Sequence, residues 1–161
     1  MKKAVFIDRD GVINSDKDHY YIFRIEDFKI NPGVIPVLKE LQEKGYLLIV
    51  ITNQGGISRG QYGKQDVDLL HSHFLDLMHQ EKIKITEIIY CPHHHTIENC
   101  LCRKPKPLML QKAMAKYAID PAHSYFIGDK ESDLLAGQAA GINTILIEAN
   151  SDLGQVLSRI I

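Results

Sequence analysis

Short runs of uninterrupted apolar residues recur along this chain, each separated from the next by a longer stretch with helical periodicity. A strand that is apolar at every position must be buried on both faces, and a parallel sheet covered by helices on both sides provides that burial. The apolar runs lie at 4–8, 46–52, 85–91, 124–127 and 143–147. Helices are expected at 34–44, 64–81, 107–118 and 131–140, with a last short one at 151–161. The first is opened by Asn31-Pro32-Gly33 and closed by Gly45. In the second, Val67, Leu70, Phe74, Leu77 and Met78 form one stripe, and His71, His73 and His79 are expected to face solvent. Right-handed crossovers between such strands predict an α/β fold, a doubly wound, Rossmann-like parallel-sheet sandwich.

In that architecture the functional residues lie beyond the carboxyl ends of the strands. Asp8, Thr52, Cys91 and Gly128-Asp129 all fall there. Two long loops, 14–31 and 92–107, leave from the same edge.

The 161 residues suffice for one domain spanning 1–161 with its own core. Lys and Arg number 19 against 20 Asp and Glu, a balance that gives no electrostatic reason to expect a nucleic acid or membrane partner. No apolar stretch approaches the length of a membrane span. Met1-Lys2-Lys3 runs into an apolar segment too short for a signal peptide, so a cytoplasmic location is expected. No large apolar interface stands out, and a monomer is expected.

The chemistry-bearing segments begin with Asp8-Arg9-Asp10-Gly11. Residues i and i+2 of an extended chain point the same way, which would aim both carboxylates at one small volume. Such crowding needs a cation or a proton to relieve it, and it suits metal-assisted phosphoryl transfer, with one carboxylate attacking and the other moving a proton. Thr52-Asn53-Gln54-Gly55-Gly56 places a hydroxyl and exposed backbone N–H groups at a strand end, a candidate phosphate cradle. Asp129 and Asp133 would complete an oxygen-rich site suited to Mg²⁺; Asp129 could equally cap the helix that follows. A lysine from Arg103-Lys104-Pro105-Lys106 would offset the carboxylate and phosphate charge. Cys91, Cys100 and Cys102, an odd and tightly clustered set, favour a metal over disulfides. With His93 they offer the four ligands of a closed tetrahedral zinc site, His94 and His95 remaining alternatives to His93.

Taken in order, D-x-D-G, the strand-end Thr52, the downstream Lys104 and Gly128-Asp129-x-x-x-Asp133 resemble the four motifs of the haloacid dehalogenase superfamily. The similarity is closer to its histidinol-phosphatase and heptose-bisphosphate phosphatase branch. It rests on Asp8 to Asn14, Thr52 to Gly60, Cys91-Pro92-His93-His94, Cys102-Arg103-Lys104-Pro105 and Gly128-Asp129-Lys130. The pattern departs at Val12, where the superfamily usually has Thr.

The resemblance implies a haloacid dehalogenase fold with a minimal cap and a Mg²⁺-dependent phosphomonoesterase working through an aspartyl-phosphate. It makes Asp8 the nucleophile, Asp10 the acid/base, Thr52 a phosphoryl contact and Lys104 the charge partner. Mg²⁺ would be held by Asp8, the Asp10 carbonyl and Asp129, and structural Zn²⁺ by the 91–102 loop. Substrate contacts are expected from Asp16, Tyr20, Asn53, Gln54, Gly55, Arg59, Arg103 and Lys130. The expected partner is a small phosphorylated metabolite: a heptose 1,7-bisphosphate first, with histidinol phosphate as the alternative. A polynucleotide 3'-phosphatase shares a similar Thr-Asn-Gln segment, but the balanced charge weighs against it. A non-catalytic phosphate-binding module is disfavoured because every expected catalytic residue type is retained.

Overall fold

The computed structural model describes residues 1–160. Five parallel strands form one sheet: β1 (Ala4–Ile7), β2 (Leu47–Asn53), β3 (Ile85–Cys91), β4 (Tyr125–Gly128) and β5 (Asn143–Leu146), in the order β3-β2-β1-β4-β5. The helices α1 (Val34–Glu43), α2 (Lys64–Gln80), α3 (Leu108–Tyr117) and α4 (Glu131–Ala139) connect them. The order reverses between β1 and β4, and at that switch point the strand ends splay to leave a crevice.

Alternation along β1 shows why both faces must be covered. Val5 and Ile7 enter one core, with residues of α1 and α2 such as Leu38, Leu41, Leu70 and Phe74. Ala4 and Phe6 enter a second core, with Met109 and Leu110 of α3 and Ala136 of α4. The chain thus winds α1 and α2 over one face and α3 and α4 over the other, the doubly wound sandwich that the apolar runs predict.

Helix ends follow local chemistry. Gly45, at φ 82°, ends α1: its N–H donates to Gln42 O, and the Tyr46 N–H donates to Leu41 O, satisfying carbonyls of the last turn. Short 3₁₀ turns at Ile25–Asp27 and Pro121–His123 were not signalled by any periodicity. The segment expected as a last helix is a 3₁₀ helix over Leu153–Arg159, which buries Leu153 and Val156 against α1; the end of that expectation, Ile161, lies outside the described residues. Among the described residues no helix is long and apolar enough to cross a membrane.

His71 contradicts its solvent-facing expectation. It is buried on the inner side of α2, at i+4 from Val67 and i−3 from Phe74, on the same stripe as the apolar residues.

Because Phe6 and Phe126 sit fully buried in the core behind the site, Phe6→Ala should cost about 3–5 kcal/mol of unfolding free energy in a denaturant titration. A loss below about 1 kcal/mol would show that this core does not anchor the strand carrying Asp8.

Candidate active site

β1 ends at Ile7 and delivers Asp8 to the crevice, where the Asp8 N–H donates to Ile127 O of β4. Across the switch point, β4 ends at Gly128 and delivers Asp129, and the first turn of α4 supplies Asp133. One carboxylate oxygen from each of Asp8, Asp129 and Asp133 lies within 4.8 Å of the other two.

Lys104 enters this acidic cluster from the loop after β3. Its Nζ lies 2.8 Å from Asp8 Oδ1, 2.6 Å from Asp133 Oδ1 and 3.0 Å from Ile51 O, so three oxygens surround the ammonium. The backbone of Lys104 is clamped as well. Its N–H donates to Asn53 Oδ1 at 3.0 Å, and Asn53 Nδ2 donates to its carbonyl at 3.2 Å. Asn53, expected to touch substrate, therefore also fixes the lysine. Burial alone would push Lys104 toward the neutral amine, but the Asp8 and Asp133 carboxylates outweigh it and hold the ammonium charged. Asp8 shares that lysine with Asp133. Burial and the nearby Asp133 and Asp129 carboxylates together raise its carboxyl well above the ordinary range. Burial likewise raises Asp129, with Lys130 opposing.

The cluster fits a hard divalent cation on two counts. Three carboxylates converge with one lysine reaching only two of them, and Asp129 Oδ1 is buried without a hydrogen-bond partner among the described residues. Asp129 does not cap α4. Asp133 Oδ2 takes that role, accepting from the N–H groups of Asp129 and Lys130 at 3.2 and 3.1 Å. Gly11 explains itself here. It has φ +88°, and a Cβ at that position would lie 2.5 Å from Asp129 Oδ2.

Asp10 has a different environment, so the expectation that both carboxylates share one volume is corrected. The strand ends before Asp10, which lies in a turn and whose carboxylate is not part of the acidic cluster. Arg9 holds it through Nε at 3.1 Å and Nη2 at 2.9 and 3.0 Å, Asn14 Nδ2 at 3.0 Å and Gln54 Nε2 at 3.0 Å. Burial would raise this carboxyl, but the Arg9 charge and the donors around it bring it below the ordinary range. Gln54 also donates to Thr52 Oγ1 at 2.9 Å and accepts from Tyr62 Oη at 2.6 Å, so its whole amide is engaged within the protein. Arg9, fully buried, and Asn14 were not singled out by the sequence.

A cavity of about 590 Å³ opens onto these residues. Asp10, Asn53, Gln54, Gly55 and Lys104 line it, together with Asp16, Tyr20, Arg103 and Lys130. Both long loops contribute, as expected. Asp16 is held by Asn150, whose Oδ1 accepts the Asp16 N–H at 3.1 Å and whose Nδ2 donates to Asp16 Oδ1 at 2.9 Å. Tyr20 is largely exposed at the rim. Arg103 Nη1 donates to His93 O at 2.9 Å. Arg59 is not brought into the cavity wall; it is exposed and its Nη1 donates to Tyr21 Oη at 3.2 Å.

The sulfurs of Cys91, Cys100 and Cys102 converge within 4.8 Å. His93 is not among the groups that converge here. Its Nδ1 is engaged by Glu98 Oε1 at 2.6 Å, while His94 and His95 turn toward the cavity. Proximity in sequence brought His93 to the loop but did not orient its ring. Three clustered thiols fit a soft metal as far as they go.

Comparison with known proteins agrees with this geometry. A family model described as HAD-hyrolase-like matches residues 101–157. A D-glycero-beta-D-manno-heptose-1,7-bisphosphate 7-phosphatase of Haemophilus ducreyi is 45% identical over 89% of this chain and 81% of its own length. A D-glycero-alpha-D-manno-heptose-1,7-bisphosphate 7-phosphatase of Campylobacter jejuni is 43% identical over 90% of this chain and 81% of its own. The crystal structure of D,D-heptose 1,7-bisphosphate phosphatase from B. bronchiseptica, complexed with magnesium and phosphate, superposes with a TM-score of 0.85 at 27% identity, covering 98% of this chain and 86% of that one. Sheet order, switch-point carboxylates and these likenesses define a phosphoric monoester hydrolase of the haloacid dehalogenase class. Within it, the chain belongs to the heptose-bisphosphate phosphatase family.

Lys104→Met should leave the Asp8 and Asp133 carboxylates facing each other without their cation. In chelator, we expect about 3–5 kcal/mol lower stability by urea unfolding. Wild-type stability would show that the lysine does not hold the cluster together.

Proposed function

We propose that the protein removes the 7-phosphate of a D-glycero-D-manno-heptose 1,7-bisphosphate through an aspartyl-phosphate on Asp8. One observation carries this reading: the buried lysine paired with Asp8 and Asp133 also lines, with Asp10, a cavity to which Arg103, Lys106 and Lys130 contribute further positive charge. In the first half-reaction an Asp8 oxygen attacks phosphorus, the ester P–O bond breaks, and the leaving sugar oxygen takes a proton from Asp10. A phosphate dianion beside Asp10 raises its proton affinity, opposing Arg9. In the second, water attacks the aspartyl-phosphate, Asp10 takes the water proton, and inorganic phosphate leaves with Asp8 regenerated. Thr52 and the backbone of Gly55 would hold the phosphoryl oxygens, and Lys104 would offset charge on Asp8. Mg²⁺, held by Asp8, the Asp10 carbonyl and Asp129, would keep Asp8 ionised and neutralise charge on the transferring group.

The substrate assignment is supported by the names of the relatives and by the cavity wall. Arg103, Lys106 and Lys130 can meet a second phosphate, and Asp16 can accept sugar hydroxyls. Histidinol phosphate is the second reading, favoured by the Asp16 and Glu98 carboxylates, which suit an amine. Relatives named for each anomer match at nearly equal identity, so both anomers belong in the test. With Mg²⁺ present, phosphate release should be fastest from a heptose 1,7-bisphosphate, ahead of fructose 1,6-bisphosphate and histidinol phosphate. Preference for histidinol phosphate would reverse the assignment. Asp8→Asn should abolish release from every substrate; retained turnover would remove Asp8 as the nucleophile.

We take residues 1–161 as one phosphatase domain, acting as a cytoplasmic monomer on a small phosphorylated metabolite. Its 91–102 loop would hold structural Zn²⁺ through Cys91, Cys100 and Cys102, with a fourth ligand from the His93–His95 stretch. That metal would cross-link the loop that carries Arg103 and Lys104. Elemental analysis of protein purified without chelator should find about one zinc per chain, lost in Cys102→Ser. Zinc-free wild-type protein would rule the site out.

A further inference from the structure

The Arg9 guanidinium is fully buried, and its contacts reach well beyond the phosphate site. Nε and Nη2 grip the Asp10 carboxylate. Nη2 also donates to Ile22 O at 2.6 Å, tying down the 14–31 loop that carries Asp16 and Tyr20. Nη1 meets His71 Nε2 at 3.0 Å. Arginine has only donors, so His71 Nε2 must be the acceptor and Nδ1 must carry the ring proton. The imidazole is held edge-on to the Tyr90 ring of β3, with centroids 5.7 Å apart.

We propose that His71 is a positioning residue for the phosphatase reaction, acting through Arg9 to hold the Asp10 carboxylate in line for proton transfer. The inference rests on Asp10 being the acid/base of the proposed mechanism. Two carboxylate oxygens and one carbonyl engage Nε and Nη2, leaving Nη1 directed at α2. Without an acceptor at position 71 the guanidinium would leave Nη1 with a buried unpaired donor, and its plane, which sets the angle of Asp10, would lose its anchor on the α2 side. Burial first, and then the Arg9 charge, lowers His71 to about 3, so the ring stays neutral and able to accept. His71 touches neither substrate nor a reacting atom. Its effect should therefore fall on the chemical step and leave binding alone.

The test compares His71→Leu and His71→Gln with wild type in steady-state phosphate release. Gln places an acceptor oxygen near the position of Nε2. We expect His71→Leu to lower kcat about 10- to 100-fold with KM little changed, since small misalignments of a reacting group cost that much. His71→Gln should recover most of kcat. Unchanged kcat in His71→Leu, an effect confined to KM, or a Gln variant as impaired as Leu at equal thermal stability would overturn the proposal. A second measurement needs no variant. ¹⁵N NMR of the wild-type ring should show Nδ1 protonated and Nε2 bare; a protonated Nε2 would overturn it. Asp10→Asn separates the two readings: if it turns over normally, the acid/base assignment fails. If it is inactive while His71→Leu is unaffected, only the role of His71 fails.

Discussion

Three carboxylates meet at the switch point of this sheet, and a single ammonium, Lys104, lies in hydrogen-bonding reach of two of them. Like charges this close in a buried setting repel strongly, so much of the surrounding structure serves to hold the lysine in place. Asn53 clamps its backbone from the end of β2, Ile51 O accepts from its ammonium, and the Phe126 ring lies 5.5 Å beneath it. The lysine offsets part of the negative charge. The remainder shows in the raised proton affinities of Asp8 and Asp129 and in an Asp129 oxygen without a partner. A site with this imbalance suits a divalent cation.

Much of this was legible in sequence because the determinants are local. Uninterrupted apolar runs set strand positions, strand ends set which residues reach the crevice, and Asp8, Thr52 and Asp129 follow from that alone. What was not legible depends on side-chain direction past the end of regular structure. Asp10 lies beyond β1, so strand parity no longer governs it, and a neighbour in sequence, Arg9, turned it away from the acidic cluster. His93 is two residues from Cys91, yet Glu98 holds its ring apart. Asn150, at φ 62° in the turn after β5, fixes Asp16 from far along the chain, and no local pattern signals that pairing.

His71 is an instructive case because its signal was present. It occupies a stripe position between Val67 and Phe74, where spacing predicts burial, and only its polarity argued for solvent. A polar residue at a core position needs a partner. The partner here is another buried polar residue that the sequence did not single out, so each concealed the reason for the other.

The two aspartates are two residues apart and have opposite tendencies, and backbone proximity has little to do with the difference. Asp8 is surrounded by carboxylates with a shared lysine, which favours its neutral form until a cation arrives. Asp10 is surrounded by donors and a guanidinium, which favours its charged form. In the mechanism we propose, each ligand would reverse the preference of the group it approaches: a cation would ready Asp8 to attack, and a phosphate dianion would prepare Asp10 to give up a proton. On that proposal, the division of labour between nucleophile and acid/base would lie in the partners, Asp129 and Asp133 on one side and Arg9 on the other. Metal and phosphate bound together would then leave Asp8 ionised and Asp10 protonated, as the proposed first step requires.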